Sequence, residues 1–176
     1  MVAHKARCEW VLLSYRIPRE PSTPRIAVWR KLKRLGVAQI GDGLAGLPAD
    51  ARTLEQLEWL AEEIDEAGGS STLWRAELTS AAQERSLVTE MAAARTAEYA
   101  SIADRARQAH QASIRASEAI RVVRSLRHEL RQVQRRDYFP PPERETARAA
   151  VAVLARAVLD GHDPADADAS GLAVDS

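Results

Sequence analysis

From Ser80 to Phe139 the chain contains neither glycine nor proline and is dense in Ala, Glu, Gln and Arg. A stretch of strong helix formers with no chain breaker has one available local structure. As a single unbroken helix it would extend for ~85 Å at 1.5 Å per residue, a rod too long for a chain of 176 residues to support. "SIAD" offers an internal start, with Ser101 as N-cap and Asp104 at the third helical position. The pattern therefore predicts two helices, 81–100 and 102–136, folded against each other or against the preceding segment. Beyond "DYFPPP" a last helix is expected over 143–159, with Val151, Leu154 and Val158 as its apolar stripe. The acidic, small-residue-rich segment 161–176 is expected to be a disordered tail.

The first half of the chain is punctuated quite differently. "WVLLSYRI" (10–17) is apolar on both alternations and stops at Pro18, which predicts a strand buried on both faces and central in a sheet. Thr23 is the expected N-cap of the next helix, Pro24 its first residue and Gly36 its stop. On that helix Val28, Leu32 and Leu35 share one stripe with Trp29 at its border, while Arg30, Lys33 and Arg34 point away. "VAQIGDGLAGLPA" (37–49) predicts two short strands around an Asp42-Gly43 turn, although Gly41, Gly43 and Gly46 weaken strand preference. A helix over 53–67 is expected to open on a Thr53/Gln56 capping box and to stop at Gly68-Gly69. Its buried stripe is Leu57, Leu60, Ala61 and Ile64. "STLWRAEL" (71–78) alternates, with Trp74, Ala76 and Leu78 on one side, as a fourth strand. The order is that of an α+β, ferredoxin-like βαββαβ domain over 9–79. An all-helical extension over 80–160 is expected to pack on it.

Charge is neutral overall and lopsided locally. Between Met1 and Gly36 nine Lys and Arg face only Glu9 and Glu20; from Arg105 to Arg136 nine arginines face only Glu118 and Glu129. Such asymmetry points to oriented surfaces. Cys8 is the sole cysteine, so an intramolecular disulfide is excluded. The N-terminal residues lack a secretory signal pattern and no run approaches the ~20 apolar residues of a membrane span. A soluble, cytoplasmic protein is expected.

"WVLLSYRIPREPSTPRIAVWRKLKRLG", "LEWLAEEIDEAGG" and "RRDYF" together resemble the N-terminal domain of the chromate-resistance protein ChrB, over roughly residues 9–160. The resemblance implies a DNA-binding transcriptional regulator of a chromate-efflux operon, part of a chromate stress response. Two departures stand out. ChrB proteins usually carry a further C-terminal domain, for which this sequence is not expected to leave room; if chromate sensing lives there, this protein has lost it or receives the signal from another chain. Where the family has "GVWVLP" or similar before the second helix, this chain has "GLAGLP" (43–48). The end of the first strand also looks like the small ferredoxin-like nucleases of CRISPR systems and the C-terminal part of PaaX-type repressors. Those nucleases hold a metal with an Asp just after the strand's Tyr. Here that position is Arg16, a cation in place of a cation ligand, which argues against metal-dependent cleavage.

Weighed as chemistry, the residues favour binding over catalysis. Arg16, Arg19, Arg30, Lys33 and Arg34 are the candidate contacts to duplex DNA, each phosphate contact adding salt-dependent affinity; the plainer reading is a solvated helix face. The second block, Arg121, Arg124, Arg127, Arg131, Arg135 and Arg136, either extends that surface or covers the acidic face around Trp59 on the second helix. Trp59 falls about 200° from Leu57, among Glu55, Glu58, Glu62 and Glu66, and is expected to be covered by the arginine-rich helix or the last one. His4, His110, His128 and His162 are scattered and form no zinc spacing. No Ser/His/Asp order, P-loop or carboxylate pair is apparent, so no catalytic residue, metal or cofactor is expected. In "RRDYF", Tyr138 and Phe139 are expected to pin a helix end to the core, and Arg135 with Arg136 is a weak candidate for an oxyanion. Two function classes stay open: a DNA-binding regulator, and a non-enzymatic helical interaction module. The latter would form a homodimer or act as accessory to a separate sensor chain.

Overall fold

The computed structural model describes residues 8–112 and 115–160; the expected tail, 161–176, lies outside them. The described chain is α+β and mostly helical, in the order β1 (Glu9–Arg16), α1 (Ser22–Leu35), β2 (Ala38–Gly41), β3 (Leu44–Pro48), α2 (Ala51–Glu66), β4 (Ser70–Glu77), α3 (Ala81–Gln111), α4 (Ala116–Arg135) and α5 (Glu143–Asp160). The four strands form one antiparallel sheet in the order β2-β3-β1-β4. By contact the chain divides into two compact units: residues up to Ala93 together with Arg136–Phe139, and Ala94–Arg135 with the residues from Pro140 on.

In the first unit β1 is interior to the sheet, as its apolar run requires, with Val11 opposite Leu47 and Leu13 opposite Leu73. Trp10 is fully buried, its ring 6.1 Å from that of Phe139. The indole N–H finds no acceptor among the described residues, and an unpaired buried donor costs about 1–3 kcal/mol. Burying 150–250 Å² of Trp at ~25 cal/mol/Å² contributes about 4–6 kcal/mol, so the ring stays inside. Val28 and Leu32 of α1 and Leu57, Leu60 and Ile64 of α2 share this core with Met91 of α3. Ser71 Oγ donates to the Ala61 carbonyl (3.3 Å) and fixes α2 on the sheet face of Val11 and Leu13. The β2–β3 hairpin forms despite its glycines because one of them is required. Gly43 turns at φ 74°, and a Cβ there would lie 2.4 Å from the Tyr15 carbonyl oxygen. Trp74, on the edge strand, is exposed.

Two helix starts differ from the expected ones. α1 begins at Ser22, not after Thr23, and its N-cap Pro21 makes no side-chain capping bond. Pro24 is then the third helical residue. The first amides of a helix have no intrahelical acceptor, so its missing N–H still costs nothing. α2 begins at Ala51 under a box made by Asp50 and Thr53. The Thr53 N–H donates to Asp50 Oδ1 (2.7 Å) and the Asp50 N–H to Thr53 Oγ1 (2.9 Å). Asp is as good an N-cap as Thr, and here the Thr answers from the N3 position. The hydroxyl of Thr53, fully buried, also donates to the Pro48 carbonyl at 2.6 Å.

The second unit gathers the latter part of α3 with α4 and α5. Its core holds Tyr99, Ile102, Leu126, Val151 and Leu154, with Ala103, Ala106 and Ala147 giving close helix approach. Here the expected break at Ser101 is overturned: α3 runs unbroken to Gln111. Tyr99, Ile102, Ala103 and Ala106 form one i, i+3, i+4, i+7 stripe, almost fully buried. Capping at Ser101 would split that stripe for the sake of one hydrogen bond, so the burial wins.

Candidate nucleic-acid interface

α1 carries Arg25, Arg30, Lys31, Lys33 and Arg34 and no Asp or Glu. Its apolar stripe, Val28 and Leu32, is buried, which turns Arg30, Lys33 and Arg34 outward within about 100° of arc. Lys33 Nζ stands 4.1 Å over the ring of Trp29, which is 53% exposed, so the amphipathic Lys stem and the indole cover each other in part. Lys31 is spent elsewhere, in an ion pair with Glu63 of α2. The positive end of the patch coincides with the last turn of α1, where basic side chains suit the helix dipole. Gly36 then ends the helix at φ 70°, its N–H donating to the Leu32 carbonyl (3.1 Å).

The remaining expected contacts are distributed less compactly. By strand alternation Arg16 shares the face of Trp10, Leu12 and Ser14, opposite to the one α2 covers, and pairs in register with Ser70. Arg19 is exposed in the connector before α1. The sequence-expected set is therefore one cluster of three on α1 with two outliers. Arg135 closes α4 and Arg136 follows it half-buried; both already engage other groups. Tyr138 and Phe139 do pin that segment. The Tyr138 hydroxyl donates to the Leu35 carbonyl (3.0 Å), the Arg52 guanidinium lies 5.5 Å from the Tyr138 ring, and Phe139 meets Trp10.

Trp59 is 68% exposed, and no helix of its own unit covers it. The acidic face of α2 is instead answered in part from α1, through Lys31 and Glu63. Between these helices lies an open cleft of about 500 Å³, walled by Trp59, Glu55 and Gln56 on α2 and by Arg34 and Leu35 on α1. A second groove, about 410 Å³, lies between α4 and α5. Sequence reasoning found neither. The signal for the first was available in the i±4 carboxylates around Trp59, but only the helix pairing turns them into a wall.

Other chemistry is sparse. Among the described residues no three His, Cys, Asp or Glu side chains stand together as metal ligands, and no helix is long and apolar enough to cross a membrane. Burial pushes the Cys8 thiol up, and the nearby Glu84 and Glu9 carboxylates push it the same way, so it is a poor nucleophile near neutrality. The Cys8 N–H donates to Glu84 Oε1 (2.8 Å), joining the start of β1 to α3.

These features define an α+β protein with an acid-free basic helix on its surface and an arginine-rich helix in its second unit. Residues 25–163 match the family described as Protein ChrB, N-terminal, and the chain belongs to that family. The match opens inside α1 and runs past the end of α5. No curated protein matches the chain.

Proposed function

We propose that this protein is a chromate-resistance regulator that binds duplex DNA and performs no hydrolysis. The supporting observation is the outer arc of α1, where Arg30, Lys33 and Arg34 are exposed with no carboxylate on the same helix. Arg25 is exposed near the helix start but about 80° outside that arc, and Arg19 and Arg16 precede the helix. The strand order β2-β3-β1-β4, with one helix after β1 and another after β3, supports reading the first unit as ferredoxin-like. Membership of the ChrB N-terminal family supports transcriptional control of a chromate-efflux operon in the cytoplasm.

A second reading, an interaction module acting beside a separate sensor chain, is favoured by the exposed Trp59 in its charged cleft. The two separate in one experiment. Lys33→Glu with Arg34→Glu should weaken binding to DNA from the protein's own upstream region. It should also reduce the slope of log K against log salt by about 2, since each phosphate contact contributes ~0.9. Both side chains point away from the Val28–Leu32 stripe, so stability should change by no more than about 0.5 kcal/mol per site. Unchanged DNA affinity with a shifted elution volume would select the interaction module.

A further inference from the structure

The two edges of the sheet in the first unit are built differently. β2 closes one edge with 4 residues, and its register on β3 shifts between Gln39 and Gly41. A short, irregular strand is a poor template for a further strand. β4 closes the other edge with 8 residues in unbroken register on β1, from Ser70 opposite Arg16 to Glu77 opposite Glu9. It contains no Pro, Gly or Lys, and its basic side chain, Arg75, is paired with Glu9 on the neighbouring strand. Trp74, at its middle, is 57% exposed. The sequence devices that blunt an edge are thus present on β2 and missing from β4.

Hydrogen-bond parity identifies the unused groups on that edge. The Ala49 N–H donates to the Glu9 carbonyl and the Tyr15 N–H to the Gly43 carbonyl, so the odd residues of β1 bond toward β3 and the even ones toward β4. With Leu12 opposite Trp74 and Ser14 opposite Thr72, the even residues of β4 bond inward. The N–H and C=O groups of Ser71, Leu73 and Arg75 therefore point out of the sheet, and among the described residues they make no backbone bond. We propose that β4 pairs antiparallel with β4 of a second copy, about a two-fold axis at Leu73, doubling the four-stranded sheet. Charge selects this register. An axis at Arg75 sets that cation opposite itself, and one at Trp74 sets it diagonal to itself. With the axis at Leu73, Arg75 lies opposite the partner's Ser71 and Thr72 opposite the partner's Trp74. No like charges meet, and the aromatic–β-branched pair forms twice. The contact is isologous and closes at two copies, leaving the short, irregular β2 at both outer edges. It rests on neither reading of the function, and none of its residues belongs to the α1 arc.

Sedimentation equilibrium of the full chain tests this. A single strand pair is at the small end of specific interfaces, so a monomer–dimer equilibrium with Kd in the µM range is expected. Arg75→Pro removes an outward N–H that the ladder to β1 does not use, and should raise Kd by about tenfold or more. Thr72→Lys/Trp74→Lys should do the same, because it sets like charges opposite each other across the seam. Both of those side chains are exposed, so the fold is spared. Mixing this variant with Thr72→Glu/Trp74→Glu should restore the dimer as a mixed species, which a misfolded chain cannot do. A wild-type chain that stays monomeric up to hundreds of µM overturns the proposal, as does a dimer that neither variant weakens. A mixture of the Lys and Glu variants that remains monomeric overturns it as well.

Discussion

Gly69 looks dispensable from its burial and backbone, and the structure says otherwise. It is half-buried with an ordinary φ, whereas its neighbour Gly68 sits at φ 78°. A Cβ on Gly68 meets nothing within 4 Å, so Gly68→Ala pays only the left-handed backbone term, about 1–2 kcal/mol. A Cβ on Gly69 would fall 2.5 Å from the Arg16 carbonyl oxygen and 2.8 Å from the Ile64 carbonyl oxygen. Neither atom belongs to a flexible side chain, so β1 or the end of α2 has to move. The movement also stretches the 2.9 Å bond that the Gly69 N–H donates to the Ile64 carbonyl. Overpacking at about 1–3 kcal/mol and a weakened hydrogen bond at about 1 kcal/mol give ~3 kcal/mol for Gly69→Ala. Urea unfolding followed by tryptophan emission measures this, because Trp10 is buried while Trp29, Trp59 and Trp74 are exposed. With m near 1–3 kcal/mol/M, the midpoint should drop by roughly 1–3 M, at least half again as far as for Gly68→Ala. Equal midpoints for the two variants would refute the claim that backbone contact, not φ, governs this corner.

Asp50→Ala removes the cap of α2 and leaves the Thr53 N–H without its acceptor; a loss of about 1–2 kcal/mol is expected in the same assay. The Arg105 guanidinium holds the Glu129 carboxyl below its ordinary range, with Ser125 helping. That stability is present above the unfolded-state pKa near 4.3 and is lost as pH falls through the lower folded-state value. Glu129→Gln should therefore cost less than about 1 kcal/mol at pH 7, since the pair is 47% and 37% exposed, and progressively less as pH falls below the unfolded-state value. Acrylamide quenching of tryptophan emission should drop clearly in Trp59→Phe, because that indole is the most exposed of the four; an unchanged quenching curve would show it covered in solution.

Periodicity and punctuation carried most of the first unit. β1, the Asp42-Gly43 hairpin, the stripes of α1 and α2 and the Gly36 stop all follow from local patterns that the tertiary fold reinforces. The misses share one cause. Ser101 and Thr23 are good caps in isolation, but a cap contributes about 1 kcal/mol, and packing partners far along the sequence outweigh it. Tyr99, Ile102, Ala103 and Ala106 hold α3 straight through Ser101. For Trp59 the sequence speaks only of charge. Acidic residues beside an indole state what charge a partner needs, not that one is present. The α1 cations were legible because they are local to one helix. Arg16 was grouped with them by sequence proximity, yet strand alternation assigns it to the other face of the sheet.

The short segment Arg136–Phe139 belongs to the first unit although the residues on either side of it belong to the second. For a chain made from its N-terminus, this sets an order of events on the ribosome. The sheet is fully synthesised once Glu77 has emerged, but Trp10 and the Leu35 carbonyl still lack Phe139 and Tyr138. At about 5–20 residues per second those partners arrive roughly 3–12 s later. Throughout that interval the nascent sheet lacks the Phe139 contact on Trp10 and the Tyr138 bond to the end of α1, so the first unit is completed only after α4 has been synthesised.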